Sequence, residues 1–378
     1  MKIYKKAILP LGFSASGVSA GIKKSGKLDL ALFYSSLMAK ASCKFTANTM
    51  QAAPLKICKQ YLKSNKDFQA IIINSGNANC FTGEAGLSDA RKTTNFLAKH
   101  LGLKNKSVLV ASTGIIGRRL PFFKIKAAIP GLVKQLSLKG IDQAKSAILT
   151  TDKLVKEISV KLMFGKKPVT ICGIAKGAGM IAPNMATMLG FILTDAHIAQ
   201  KALDRALGVA VGHSFNCITV DGCMSTNDSV MILANSAAGN HLIERGKGLD
   251  LFMQALNLVC LELAKMVIQD AEGATKFIQI KVTAAENENE AKKVALAIAN
   301  SSLFKTAMYG ENPNFGRIVA SIGSSGVKIK ERDLKIKVSS LKFRDIKVNV
   351  SINRGRSAVT VYTSDLSPEY IKINAEYN

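Results

Sequence analysis

The sequence has no tryptophan, only four histidines and eight prolines, and aromatic residues make up just 6% of it. No tract interleaves aromatic rings with arginine, which argues against a stacking platform for single-stranded nucleic acid. The four histidines show no H-E-x-x-H or similar ligand spacing, so no metal site is expected. Seven cysteines are present (Cys43, Cys58, Cys80, Cys172, Cys217, Cys223 and Cys260). Their number is odd and no C-x-x-C occurs. That points to reduced thiols in a cytosol-like compartment and away from a disulfide framework or a zinc site. Long hydrophobic runs are also missing. Lys2, Lys5 and Lys6 precede an apolar run over 7–13, but this run is short and holds Pro10 and Gly12, unlike a signal peptide. The apolar stretch over 181–193 is too short to span a bilayer and is interrupted by Pro183 and Asn184. The expectation is a cytoplasmic protein with no membrane segment.

Acidic residues are scarce: 26 Asp+Glu stand against 52 Lys+Arg, a net charge of +26. Such a balance suits a polyanion partner. The lysines are scattered, however, and no nucleic-acid motif accompanies them. A lysine-rich solvated surface accounts for the charge, and no nucleic-acid partner is expected.

What is present is an ordinary globular composition, 48% hydrophobic and 21% charged over 378 residues. That length allows two or three domains or one large α/β unit. Short apolar runs over 70–73, 108–111 and 169–174 end in Gly-, Ser- or Asn-rich turns, as buried strands with functional loops do. Residues 230–234 and 277–282 look similar. Phe252, Ala255, Leu256, Val259, Leu263, Met266 and Val267 form one apolar helical face, with Asp250 as its N-cap. Asp195 is a second candidate cap, for a helix through Ala202, Ala206, Leu207 and Ala210. A third helix is predicted over 291–299. Near the C-terminus, Leu334, Ile336 and Val338, then Ile346, Val348, Val350 and Ile352, alternate strictly. Two antiparallel strands with one wet, lysine-bearing face fit that pattern. The expected fold is a layered α/β sandwich with mixed or antiparallel sheets.

The most unusual segment is K-G-A-G-M-I-A-P-N-M-A-T-M-L over 176–189. It reads as a strand end, a glycine turn and a Pro-Asn break that delivers Ala186 and Thr187 into an apolar run. A lone threonine in such a place is structural far more often than catalytic. Here Gly177 and Gly179 permit unusual backbone conformations, and the small Ala186 leaves its carbonyl unshielded. A hydroxyl directly after that carbonyl has the connectivity for an N→O acyl shift. The shift would cut the chain and leave Thr187 with a free α-amine. Thr187 would then hold a nucleophile and a base in one residue, the amine titrating near pH ~8.

This segment resembles the self-processing signature of the ornithine acetyltransferases (glutamate N-acetyltransferases), and the resemblance covers nearly the whole chain. It includes G-F at 12–13 and G-I-K at 21–23, F-T at 45–46 through A-A-P at 52–54, and N-S-G-N-A-N at 74–79. It continues with S-T-G-I-I-G at 112–117, T-T-D at 150–152, S-F-N at 214–216, T-V-D-G at 219–222 and S-T-N-D at 225–228. E-G-A-T-K at 272–276, Y-G-E-N-P-N-F-G-R at 309–317 and I-N-A-E-Y at 373–377 complete it. So many motifs in one order exclude chance.

The resemblance implies the fold of that family and autocatalytic cleavage between Ala186 and Thr187. The products would be an α chain, 1–186, and a β chain, 187–378, assembled as a dimer of αβ pairs, a heterotetramer. It implies acetyl transfer from N-acetylornithine to glutamate in arginine biosynthesis, through an acetyl group on Thr187. Thr113 and Gly114 fall on the family's oxyanion donors. Thr150, Lys176, Thr187, Glu272 and Asn374 fall on its substrate contacts. No cofactor is implied. Some family members also take acetyl groups from acetyl-CoA and some do not, and no local motif decides between them. Residues 74–79 are left as a structural turn near the site. A related self-processing aminopeptidase or amidohydrolase is the nearest alternative, and it need not share Lys176, Glu272 and Asn374. The chain departs from the family pattern at Arg118, at Ala271 and at Asn312 with Phe315. The family's Thr or Ser five residues after the position of Asn374 falls one place beyond Asn378. These departures bear on substrate preference and leave the nucleophile and oxyanion positions intact.

Overall fold

The computed structural model describes residues 1–182 and 188–376. The chain divides into two compact units, each built from several segments. The first comprises residues 1–177, 187–213 and 225–263; the second comprises 178–186, 214–224 and 264–378. Neither unit coincides with one of the two expected product chains.

In the described residues the first unit holds nine strands: β1 (Lys2–Tyr4), β2 (Phe13–Val18), β3 (Leu30–Phe45), β4 (Phe68–Asn77), β5 (Val108–Ile115), β6 (Lys156–Phe164), β7 (Lys167–Lys176), β8 (Leu189–Thr194) and β9 (Ser229–Ala234). They form one mixed sheet in the order β1-β6-β7-β8-β9-β3-β4-β5, with β2 on β3. The β4/β5 and β8/β9 pairs are parallel; the other pairs are antiparallel. The five apolar runs read from the sequence lie on strands, four of them in this sheet. Every residue of β8 and β9 is buried, as expected for central strands covered on both faces. The sixteen-residue β3 joins the two halves of the sheet. Its first part pairs with β2 and β4, and its second part pairs with β9 after a register shift between Tyr34 and Ala39. Phe33 and Phe191 meet across the core with ring centroids 5.5 Å apart, and each such buried side chain contributes about 2 kcal/mol.

Helices α1 (Ala53–Ser64), α2 (Gly83–His100), α3 (Phe122–Lys134), α4 (Ile141–Ala147) and α5 (Gln200–Gly212) belong to this unit. α5 begins later than the sequence suggests, with Ala199 at its N-cap. Asp195 instead lies buried at the end of β8, where it accepts from the Thr170 N–H at 2.7 Å and the Leu11 N–H at 3.0 Å. Helix α6 (Gly246–Gln269) also starts elsewhere, one turn early, so Asp250 is an interior residue. Its first turn is anchored by buried Leu249. By length and a mean hydropathy of 1.7, α6 could cross a membrane. Phe252, Ala255, Leu256, Val259, Leu263 and Val267 are all fully buried, however, so α6 is a core helix.

The second unit holds β10 (Phe277–Ala285), β11 (Lys335–Val338), β12 (Asp345–Ser351) and β13 (Ser357–Ser364), in the order β11-β12-β10-β13. β11 and β12 pair antiparallel from Lys335↔Ser351 to Val338↔Val348, as the alternation predicts. β12 alternates exposed and buried along its length, with Lys347 on the wet face. β10 and β12 are parallel, so this sheet too is mixed. Helices α7 (Glu288–Ala299), α8 (Ser302–Tyr309), α9 (Phe315–Gly323) and α10 (Pro368–Ala375) complete the unit. Asn287, Ser301, Asn314 and Ser367 cap them through side-chain bonds to backbone N–H groups. The buried lysines among the described residues are Lys156, Lys176, Lys276 and Lys305. The other described lysines reach solvent at least in part, consistent with a solvated basic surface.

Candidate active site

β4 and β5 run parallel to their ends, with Asn74 opposite Ser112, Ser75 opposite Thr113 and Gly76 opposite Gly114. Residues 74–77 therefore continue a strand, correcting the reading of this stretch as a turn. The Ser112 hydroxyl donates to Asn74 Oδ1 at 2.6 Å. Asn227 donates to the Ser112 carbonyl at 2.8 Å and to the Ala78 carbonyl at 2.6 Å. Gly114 has φ +131°, and a Cβ there would stand 2.4 Å from the Gly76 carbonyl carbon. Only glycine fits such a crossing of backbones. Thr113 and Gly114 are thus held rigidly at a strand end.

Lys176 ends β7 and is buried. Its Nζ donates to Thr150 Oγ1 at 2.7 Å and to Thr113 Oγ1 at 3.4 Å, and lies 3.7 Å from Asp152 Oδ2. Asp152 organises the cluster. Its carboxylate takes the Lys156 ammonium at 2.6 Å, the Gly177 N–H at 2.6 Å and the Thr150 N–H at 3.0 Å. Burial alone would raise its pKa. The charges of Lys176 and Lys156 overcome that and hold the carboxyl well below the ordinary range. The site is therefore a buried cluster in which two lysines surround one aspartate held in its ionised form. The structure brings Thr113, Gly114, Thr150 and Lys176 together. Ala186 and Thr187 lie outside the described residues.

A second cluster, within the other unit, contains Glu272 and Asn374. Asn374 Nδ2, on α10, donates to Glu272 Oε2 at 3.0 Å. A Cβ on Gly179 would fall 2.2 Å from the same oxygen, so the glycine of the signature makes room for this carboxylate. Asp365 fixes the 272–276 segment by accepting the Thr275 N–H, the Lys276 N–H (each 2.9 Å) and the Thr275 hydroxyl. Just before it, the Ser364 carbonyl accepts from buried Lys305. Burial pushes Lys305 down to about 7. Asp221 pins the signature segment by accepting the Met180 N–H at 2.7 Å and the Ile181 N–H at 2.9 Å, and the Tyr370 hydroxyl at 3.1 Å. Asp152, Asp221 and Asp365 are roles the sequence did not disclose. Asp152 and Asp221 lie in T-T-D and T-V-D-G, but nothing in a single sequence separates an aspartate that organises backbone from a solvated one.

The ArgJ family model matches residues 14–378. The arginine biosynthesis bifunctional protein ArgJ of Geobacter sulfurreducens is 42% identical over 388 residues, covering 97% of this chain and 98% of its own. That of Caldanaerobacter subterraneus is 43% identical over 397 residues, covering 98% of each. A crystal structure of ornithine acetyltransferase complexed with ornithine, from Mycobacterium tuberculosis, is 39% identical and covers 48% of this chain and 97% of that one, with a TM-score of 0.45. With a family match over nearly its entire length and relatives of this identity at both ends, the chain belongs to the ArgJ family.

Proposed function

We propose that this enzyme of arginine biosynthesis transfers the acetyl group of N-acetylornithine to glutamate through an acetyl-Thr187 intermediate, after cutting itself between Ala186 and Thr187. The observation that supports this most is the Thr113–Thr150–Lys176 cluster in a chain of the ArgJ family. The freed α-amine of Thr187 takes the proton of its own hydroxyl, and the hydroxyl oxygen attacks the acetyl carbonyl. Charge then develops on one oxygen, which needs donors already in place. The Gly114 N–H and the Thr113 hydroxyl supply them. Lys176 donates to Thr113 Oγ1, so the hydroxyl's own hydrogen is left to point elsewhere. Ornithine leaves with the proton and glutamate enters; its amine bonds to the acetyl carbon, the bond to Thr187 Oγ breaks, and the proton the amine sheds returns to that oxygen through the Thr187 α-amine.

Thr150, Lys176, Glu272 and Asn374 bind the amino-acid substrates. Lys176 suits a carboxylate and Glu272 an ammonium group. β8 begins at Leu189 and is hydrogen-bonded between β7 and β9. An α chain of 1–186 and a β chain of 187–378 would thus stay joined through this sheet, and two such αβ pairs form the assembly. The reaction is cytoplasmic and uses no cofactor.

The oxyanion role has a sharp consequence. Thr113→Ala lowers turnover ~10²–10³-fold with substrate affinity nearly unchanged; steady-state kinetics with N-acetylornithine and glutamate measure it, and unchanged turnover removes Thr113 from the mechanism. The same assay without glutamate separates transfer from hydrolysis: a hydrolase releases acetate, a transferase stalls.

Acetyl-CoA is a second donor in this reading. A thioester is a more reactive acetyl donor than an amide, and the curated relatives are named bifunctional. Purified enzyme with acetyl-CoA and glutamate, and no N-acetylornithine, is expected to release free thiol in a way that needs both glutamate and Thr187. Release no faster than in Thr187→Ala restricts the enzyme to recycling acetyl groups.

A further inference from the structure

The loop that joins β2 to β3 is pinned from within. The carboxylate of Asp29, which is fully buried, accepts the N–H groups of Ala20 (2.6 Å), Ile22 (2.6 Å) and Lys23 (2.9 Å). Gly26, with φ +70°, turns the chain, and its N–H reaches the Lys23 carbonyl at 3.3 Å. Lys23 packs its stem against the end of β4: a Cβ on Gly76, which stands opposite Gly114, would lie 3.1 Å from Lys23 Cγ. The loop is thereby fixed beside the strand ends that carry Thr113 and Gly114.

This loop helps to line a cavity of about 450 Å³. Lys23, Ser25 and Lys27 come from the loop; Ser146, Thr150 and Asp152 come from the end of α4 and the segment after it. Asp152 is the sole acidic residue of the lining, and its carboxylate is already shared by Lys156 and Lys176. Thr150 belongs to both places, since its hydroxyl accepts from Lys176, which also reaches Thr113. The cavity therefore adjoins the Thr113–Thr150–Lys176 cluster. Lys23 is half-buried and donates to the Leu28 carbonyl at 2.8 Å, which uses one of its three N–H donors. Among the described residues no carboxylate forms an ion pair with it or with exposed Lys27. Burial pushes the Lys23 ammonium down to about 8, with Asp29 and Asp152 opposing and Lys176 and Lys27 reinforcing. A bound anion would supply the counter-charge these lysines lack.

We propose that this cavity is the subsite for the phosphate groups of acetyl-CoA, held by Lys23 and Lys27; this rests on the reading of acetyl-CoA as a second donor. The volume suits a ligand larger than a single carboxylate, and an ammonium group serves a phosphate well as a point charge. The long arm between thioester and phosphates lets the acetyl group reach Thr113 and Gly114 while the phosphates stay against the loop. N-acetylornithine carries no phosphate and does not need the two lysines.

Calorimetric titration of the purified enzyme with coenzyme A, and separately with ornithine, tests this on wild type, Lys23→Gln and Lys27→Gln. Each variant is expected to bind coenzyme A at least about tenfold more weakly, the loss of one charge-assisted hydrogen bond, and ornithine within about twofold of wild type. Lys27→Arg keeps the charge and is expected to retain most of the affinity. In the thiol-release assay K23Q and K27Q raise KM for acetyl-CoA, and KM for N-acetylornithine stays at the wild-type value. Lys27 is exposed, so K27Q and K27E carry the test if K23Q does not fold. Coenzyme A bound equally by wild type and variants overturns the subsite and leaves acetyl-CoA standing as a donor. Weakened ornithine with unchanged coenzyme A assigns the cavity to an amino-acid carboxylate and overturns the phosphate subsite. A wild type that neither binds coenzyme A nor releases thiol from acetyl-CoA removes the second donor itself, and the subsite with it, while transfer from N-acetylornithine stands.

Discussion

Thr187→Ala is expected to remain a single chain of 40.4 kDa and to lose turnover by ~10⁴-fold or more, the cost of removing a nucleophile that forms the covalent intermediate. Two functions are lost together. Without the hydroxyl no acyl shift can cut the Ala186–Thr187 bond, so the α-amine is never freed and the general base is missing as well. The oxyanion donors and the Lys176 cluster survive the change, which is why some substrate binding should persist. Wild-type protein should show two fragments on a denaturing gel, the smaller pieces beginning at Met1 and Thr187. A Thr187→Ala chain that is still cut there, or that still turns over, removes this hydroxyl from both reactions.

Asp152→Asn carries the largest expected effect on stability. The carboxylate is fully buried and shared by Lys156 and Lys176. Its neutralisation leaves two buried ammonium groups without that counter-charge, and removal of one partner from a buried ion pair costs about 3–5 kcal/mol. Denaturant unfolding of the uncut chain measures it; a loss below about 1 kcal/mol, the scale of an exposed pair, contradicts a buried ion-paired cluster around Asp152. The pH dependence has a definite sign. The folded-state pKa of Asp152 lies below its unfolded value of about 3.9. Its contribution is therefore complete above about pH 4 and is lost as pH falls toward the depressed folded value. Wild type should lose stability over that acid range, and D152N should lose less.

Much of the fold was legible because period and burial agree. The alternation of 346, 348, 350 and 352 matches a strand with one wet face, and the apolar runs of β4, β5, β7 and β9 match strands covered on both sides. β3 is not legible as a strand. Its sequence, L-A-L-F-Y-S-S-L-M-A-K-A-S-C-K-F, mixes good helix formers with serines, and its pattern changes midway because its two halves pair with different neighbours. Leu37 and Met38, exposed at 47% and 65%, fall at that change and break any single period. Asp195 and Asp250 misled for one reason: an aspartate before an apolar run has the chemistry of a cap, but only tertiary context decides whether its carboxylate reaches a helix end or another buried N–H. At the site, the strand-end glycines and the signature were visible as motifs. The organising carboxylates were not, because their partners come from residues far apart in sequence, as with Asp152 and Gly177 or Asp365 and Thr275.

The acetyl-enzyme is the central claim, and intact mass spectrometry of the processed protein tests it most directly. After brief incubation with N-acetylornithine and no glutamate, the fragment that begins at Thr187 is expected to gain the mass of one acetyl group, placed on Thr187 by peptide mapping, and to lose it when glutamate is added. Turnover with no acetyl group on Thr187, or an acetyl group on another residue that glutamate removes at the catalytic rate, would contradict the account.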